Sequence, residues 1–150
     1  MKKIYYLNMM NVMEEKDVET VSVLEQEIFS MPWSKQAFYD TLQDSKAMYL
    51  VALDANAIVG YCGVYDIAGE GDVMNVAVAK EHRGKGIAYQ MLSELFCLGS
   101  KKGIKAFTLE VRAGNAPAIH LYEKLGFVTE SIRKNFYEKP IEDALIMWKR

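Results

Sequence analysis

One stretch of the chain restricts its fold more than any other. Asp72 to Ala79 (DVMNVAVA) reads as a β-strand, the loop His82-Arg83-Gly84-Lys85-Gly86 follows, and Ala88, Met91, Leu92, Leu95, Phe96 and Gly99 then recur on one helical face. Lys101, Lys102 and Gly103 suit the end of that helix, where cations meet the negative end of its dipole and glycine can turn the chain back. Lys105 to Arg112 (KAFTLEVR) is a second strand. Strand, helix and strand in this order close as a parallel crossover, for which the right-handed form is expected. Ligands of open α/β sheets sit outside the carboxyl ends of such strands. There, the glycine-rich loop opens a helix whose first N–H groups have no partner within the helix. Those amides and the positive end of the dipole attract phosphate, and glycine lets the backbone come close to it.

The flanks extend this unit into a mixed α/β sheet. Ile4 to Met10 is expected to be a first strand. Asp17 to Phe29 carries Val18, Val21, Leu24 and Ile28 on one helical face. Pro32 then forces an extended approach, and Ser34 can cap a second helix over Lys35 to Gln43. Ala47 to Leu53 and Ala57 to Tyr65 read as strands around the turn residues Asp54-Ala55-Asn56, which makes an antiparallel hairpin. Asn115 can cap a helix that has Pro117 in its first turn and stops at Gly126. Phe127 to Arg133 and Asp143 to Lys149 read as two closing strands. The expected order is β-α-α-β-β-β-α-β-α-β-β, within a single domain over residues 1–150.

Composition removes several classes of function. A net charge of −2 argues against a protein whose main partner is a nucleic-acid backbone. Cys62 and Cys97 stand in separate segments and only two histidines are present, so neither a zinc site nor a disulfide framework is expected. Both thiols are expected to be buried in a reducing cytoplasm. His82 and His120 belong to no metal or triad spacing and read as structural or surface residues. No apolar run is long enough for a membrane span, and the MKKIYY start is not that of a signal peptide.

The loop itself fits neither common nucleotide pattern. A Walker loop needs Gly-x4-Gly-Lys-Ser/Thr, which Gly84-Lys85-Gly86-Ile87 does not supply. A dinucleotide loop needs Gly-x-Gly-x-x-Gly, and Tyr89 occupies the third glycine position. Arg83-Gly84-Lys85-Gly86-Ile87-Ala88 does satisfy Arg/Gln-x-x-Gly-x-Gly/Ala. It resembles the coenzyme A pyrophosphate loop of the GCN5-related N-acetyltransferases, the GNAT superfamily. The strand before it, Asn75-Val76-Ala77-Val78, looks like the family strand that pairs with pantetheine, and LEVRAGNAPAIHLYEKLGF resembles the acetyl-group half of the family's site. Pro32-Trp33-Ser34 and the tail RKNFYEKPIEDALIM are similar to one branch, the RimI-type ribosomal-protein alanine acetyltransferases. The resemblance runs from about Phe29 to Met147.

That resemblance implies a GNAT fold, a mixed central sheet with splayed parallel strands flanked by helices, and acetyl-coenzyme A as co-substrate without a metal. It implies coenzyme contacts from Val76, Ala77, Val78, Arg83, Gly84, Lys85, Gly86, Ile87, Ala88, Tyr89 and Asn115. Alanine at position 88 stands where many relatives have glycine, and the pattern allows it. Glu110, a charge between the apolar Leu109 and Val111, matches the family's proton acceptor, acting directly or through a water. Tyr122 matches the residue that protonates the departing thiolate. Met31, Pro32 and Trp33 on one side and Asn135, Phe136 and Tyr137 on the other look like two lips of a peptide groove. Glu138, Glu142 and Asp143 near the second lip would suit a basic peptide. The implied acceptor is the N-terminal alanine of small-subunit ribosomal protein eighteen, met by a cytoplasmic monomer with no membrane or nucleic-acid partner. Another protein N-terminus or a small-molecule amine is the alternative acceptor, and a coenzyme A-binding regulator without catalysis is the alternative of a different class.

Overall fold

The computed structural model describes residues 9–150. Most of the first expected strand, Ile4 to Asn8, therefore lies outside the described residues. Strand β1 covers Met9–Val12. After one 3-10 turn come α1 (Val18–Ile28) and α2 (Lys35–Leu42). The strands β2 (Ala47–Asp54), β3 (Ala57–Ile67) and β4 (Glu70–Val78) follow, then α3 (Ile87–Lys101), β5 (Ala106–Arg112), α4 (Ala116–Lys124), β6 (Val128–Glu138) and β7 (Ile141–Lys149). This is the order expected from the sequence.

Local chemistry explains the boundaries. Ala55 and Asn56 both take positive φ, 51° and 68°, between β2 and β3, which matches the twist of a two-residue hairpin turn. The β3–β4 link is a second tight turn at Ala68 and Gly69, so these two strands are longer than their apolar runs suggest. Ser34 Oγ accepts the Ala37 N–H at 3.1 Å and starts α2. Asn115 Oδ1 accepts the Ala118 N–H at 3.2 Å and starts α4. Gly126 at φ 100° ends the α4 turn, as its position predicts.

Among the described residues, seven strands form one sheet in the order β1-β2-β3-β4-β5-β7-β6. Only β4 and β5 run parallel, and β7 inserts between β5 and β6. Two cores cover the two faces. On one, Met91, Leu92 and Leu95 of α3, Tyr122 of α4 and Leu125 just after it pack on Val64, Val73, Phe107, Leu109 and Val111. On the other, Val18 and Val21 of α1 and Phe38 of α2 pack on Tyr49, Val51, Tyr61 and Ala77. Phe38 is 1% exposed, a burial worth about 1.5–3 kcal/mol. Gly63 lies under the Tyr49 ring, where any Cβ would overlap it.

One expectation about the thiols fails. Cys62 is buried, and desolvation raises its pKa, but Cys97 is exposed on α3. The α3 stripe runs Met91, Leu92, Leu95, Phe96 and Gly99, and Cys97 falls off it.

Candidate active site

The parallel pairing of β4 with β5 is short. It holds at Glu70–Ala106, Gly71–Phe107 and Asp72–Thr108, and beyond Asp72 the two strands part. The rest of β4 stays paired to β3 alone, so one of its edges opens into the gap. The register says which amides face it. Ala79 N–H donates to Val59, and the pairs Gly60–Val78, Tyr61–Ala77 and Cys62–Val76 continue from there. Antiparallel pairs alternate between bonded and non-bonded positions. Ala77 therefore directs its amide at β3, whereas Val76 and Val78 direct theirs into the gap. Of the three expected contacts here, the geometry leaves the backbone of Val76 and Val78 available. Their side chains pack on the α3 core.

The glycine loop stands at the end of the same strand. Gly84 and Gly86 have φ of 77° and 79°, a conformation that side-chain-bearing residues seldom adopt. A Cβ at either position would meet no protein atom within 4 Å. The glycines are thus needed for backbone direction, and the space beside them is open. Gly86 is the N-cap of α3 and no side chain caps it, unlike Ser34 of α2 and Asn115 of α4. The first N–H groups of Ile87, Ala88 and Tyr89 face that space, a cradle that fits a pyrophosphate. Ile87 is 2% exposed, so its side chain belongs to the core and only its amide serves the loop. Tyr89 and Lys85 are exposed. Arg83 turns back, its Nε donating to the Val78 carbonyl at 3.1 Å, which ties the loop to the strand end.

Glu110 and Tyr122 come from the two sides of the sheet. Leu109 and Val111 point into the α3 core, so Glu110 projects to the opposite face, beside Ile146 of β7. Tyr122 lies in the α3–α4 core at 8% exposure, its ring 5.9 Å from Phe127. Burial, with smaller contributions from Tyr137 and Cys62, pushes its phenol up to about 12, so it stays protonated at neutral pH. Tyr137 of β6 feels both groups electrostatically: burial first and the Glu110 charge next raise its pKa, and it in turn acts on Tyr122. Arg112 stacks on the Tyr137 ring at 4.3 Å and donates to the Pro140 carbonyl at 2.9 Å and to Glu142 at 3.2 Å. Asn115 uses its side-chain oxygen to cap α4.

The two segments expected to form lips are packed and paired more tightly than their sequence suggests. Trp33 packs on Phe38 and Tyr49, with ring centroids at 5.2 and 6.2 Å, while Met31 is exposed and Pro32 half-buried. On the other side, β6 loops out Lys134, Asn135 and Phe136 between the pairs Arg133–Ala144 and Tyr137–Glu142. Asp143 fills that bulge by accepting from the Asn135 N–H at 2.9 Å and pairing with Lys134 at 3.2 Å. Glu142 accepts from Arg112 and from the Gly114 N–H at 2.7 Å. Two of the three acids expected to attract a basic peptide are thus tied up in shaping the hairpin. His82 pairs with Asp54 at 3.6 Å, in keeping with a structural role.

Two carboxylates escaped the sequence reading. Glu25 is 3% exposed and ties the Trp33 backbone to β3. Its carboxylate accepts the Tyr61 hydroxyl at 2.8 Å and the Trp33 N–H at 2.9 Å. Its position seven residues after Val18, on the buried face of α1, was the available signal. Asp72, where β4 and β5 part, has a buried Oδ1 with no hydrogen-bond partner. Burial, and next the Glu110 charge, push its carboxyl up to about 6. Among the described residues no cluster of His, Cys, Asp and Glu could hold a metal ion.

A parallel pair thus parts beside a glycine loop at an uncapped helix start, with a carboxylate on one face of the sheet and a buried phenol in the core on the other. The chain belongs to the acetyltransferase (GNAT) family, whose family model matches residues 18–127, and it is an N-acetyltransferase by that membership. A Bacillus subtilis protein named, provisionally, a ribosomal protein bS18-alanine N-acetyltransferase is 36% identical over 137 residues, 91% of each chain. The Escherichia coli K12 protein of that name is 30% identical over 143 residues, 94% of this chain and 96% of its own. The crystal structure of the Escherichia coli ribosomal-protein-S18-alanine N-acetyltransferase superposes with a TM-score of 0.87 at 29% identity, covering 94% of this chain and 92% of that one. The fold is that of the GNAT enzymes, as its sequence resemblance implied.

Proposed function

We propose that this chain transfers the acetyl group of acetyl-coenzyme A to the α-amine of a protein that begins with alanine, with ribosomal protein bS18 as the acceptor its relatives' names point to. The observation that carries this reading is the gap between β4 and β5, with Glu110 on one face of the sheet, Tyr122 in the core on the other, and Tyr137 electrostatically coupled to both. The donor's thioester supplies an activated carbonyl carbon. The amides of Ile87 to Tyr89 and the glycines of the loop hold its pyrophosphate, and the free edge of β4 aligns the arm that leads to the gap.

The chain's residues then manage protons and charge. Glu110 takes a proton from the α-ammonium, directly or through one water. The amine is a modest demand, with a pKa of roughly 7.7–8.0 against about 10.4 for a lysine side chain. As the C–N bond forms, the Val76 and Val78 N–H groups face the charge that develops on the carbonyl oxygen. As the C–S bond breaks, Tyr122 gives its phenolic proton to the sulfur and regains one from solvent. Trp33 and Tyr137 flank the path of the acceptor chain. The bacterial cytoplasm, where ribosomal proteins are made, is the compartment this reading requires. Among the described residues no helix is long and apolar enough to cross a membrane.

The test is a panel of acceptors with thiol release as the readout: a peptide starting Ala-Arg-Tyr, the same peptide with its N-terminus blocked, and small polyamines. Turnover confined to the free peptide supports the reading. Faster turnover with the polyamines refutes it in favour of a small-amine enzyme.

A further inference from the structure

We propose that Asn75 reads the carbonyl oxygen of the acceptor's first residue and so selects a peptide α-amine over amines that have no carbonyl beside them. This rests on the N-terminal acetyltransferase reading above and adds to it a residue that sets acceptor specificity.

The register puts Asn75 across the gap from Glu110. Tyr49 of β2 pairs with Gly63 of β3, and Gly63 pairs with Asn75 of β4. Paired residues in a sheet share a face, so this row lies on the face of Tyr49, the one covered by α1 and α2. Glu110 projects from that face too, because Leu109 and Val111 point into the α3 core. The levels also agree. Asp72 pairs with Thr108, and Glu110 lies two residues beyond Thr108 on β5. On β4 the pairing with β3 slips by one residue between Val73 and Asn75, which leaves Met74 as a bulge. Asn75, three residues beyond Asp72 with one of them bulged, therefore stands level with Glu110.

The row holds the Asn75 amide in one orientation. Gly63 has no Cβ, and the Tyr49 ring passes over it. The Tyr49 hydroxyl thereby reaches Asn75 two strands away and donates to its Oδ1 at 2.5 Å. Burial first, with smaller contributions from Glu25, Cys62 and Asp72, raises the Tyr49 pKa, so the hydroxyl keeps the proton it donates. The amide nitrogen is directed away from it and donates to no group among the described residues. Asn75 is 6% exposed. Among the described residues, the side-chain polar atoms sealed from solvent without a partner are Asp72 Oδ1 and His82 Nδ1 alone, so the Asn75 nitrogen keeps its contact with solvent. An amide NH2 donates and does not accept. Its match is a carbonyl oxygen rather than an ammonium group. In a peptide the first carbonyl lies beside the α-amine, whereas a lysine side chain or a polyamine has methylenes there. A peptide whose amine meets Glu110 turns that carbonyl toward Asn75. An amine without it strips the Asn75 donor of water and leaves it unpaired, and a site built to hydrogen-bond a group rejects the analogue that lacks it.

Steady-state kinetics of the full chain with acetyl-coenzyme A test this on two acceptors: the Ala-Arg-Tyr peptide and its analogue with a trans alkene in place of the first peptide bond. The analogue keeps the α-amine and the chain shape and lacks the first carbonyl. Wild type should favour the peptide in kcat/KM by about 5- to 150-fold, the range for a buried donor left unpaired. Asn75→Leu should bring that ratio to about one by lowering kcat/KM for the peptide, with the acetyl-coenzyme A KM in place. Asn75→Leu combined with Tyr49→Phe should give the same ratio. The double variant also removes the hydroxyl that the single change leaves unpaired, so it carries the test if Asn75→Leu folds poorly. A wild-type ratio near one overturns the proposal, and so does a wild-type ratio that persists in the variants. An acetyl-coenzyme A KM that rises as much as the peptide kcat/KM falls overturns it as well, because it assigns Asn75 to holding the β4 edge. Wild-type enzyme that acetylates neither acceptor refutes the acetyltransferase reading itself, a result separate from these.

Discussion

Replacing Gly86 with alanine separates the loop's conformational role from its ligand role. Gly86 sits at φ 79°, and an added Cβ would meet no atom within 4 Å. Its cost to the free protein is therefore the left-handed backbone alone, about 1–2 kcal/mol. For a chain of this size each kcal/mol lowers the midpoint by about 2–4 °C, so a fall of about 2–8 °C is expected by differential scanning calorimetry. The effect on the donor is larger. The Cβ enters the space where phosphate approaches the α3 amides, and losing one hydrogen bond to a charged group costs about 1.5–3 kcal/mol. That corresponds to about a 10- to 150-fold rise in the acetyl-coenzyme A KM. Gly63→Ala is the control: its Cβ overlaps the Tyr49 ring, so it should lower the midpoint and spare that KM. A Gly86→Ala variant with a lowered midpoint and an unchanged acetyl-coenzyme A KM would refute the assignment of the loop to the pyrophosphate.

Glu110→Gln should lower kcat by about 10²–10⁴ at pH 7, with the deficit shrinking by pH 9 as the α-amine becomes neutral without help, while Tyr122→Phe should lower kcat at all pH values and leave both KM values in place. Glu25→Gln leaves either the Tyr61 hydroxyl or the Trp33 N–H without an acceptor, at about 1–3 kcal/mol, so calorimetry should show a lower midpoint and kinetics a peptide KM raised more than that for the donor. Asp72 has a folded pKa of about 6 against about 3.9 unfolded. Its stabilising contribution is thus complete below pH 4 and is lost as pH rises through 6. Wild type should gain on the order of 1 kcal/mol over Asp72→Asn between pH 7 and pH 4.5 in denaturant titrations, after discounting for solvent screening.

Local signals carried much of this molecule. The apolar stripe of α3, the positive-φ turn at Ala55-Asn56 and the caps at Ser34 and Asn115 are each written within a few residues, and each appears where the sequence places it. The parallel β4–β5 pair follows from the helix between its strands. Nothing local says that β7 inserts between β5 and β6, because strand order is settled by packing between distant segments. The length of β6 was also hidden, since the bulge at Lys134–Phe136 interrupts its alternation and depends on Asp143 of another strand. The site shows the same division. The glycines of the loop announce themselves by spacing. Glu25 and Asp72 do not, because a carboxylate on an apolar face is legible only once its partners, or its lack of one, are visible. Glu142 and Asp143 looked available from sequence, and their partners Arg112, Gly114 and Asn135 show how they are used instead.

The central claim is that this chain acetylates the α-amine of an alanine-initiated protein. Tandem mass spectrometry of bS18 with a free N-terminus, incubated with the chain and acetyl-coenzyme A, tests it most directly. One acetyl unit is expected, located on the N-terminal alanine and formed about 10²–10⁴ times more slowly when Glu110→Gln replaces the wild type at pH 7. Acetyl groups found on lysine side chains with the N-terminus untouched would contradict it.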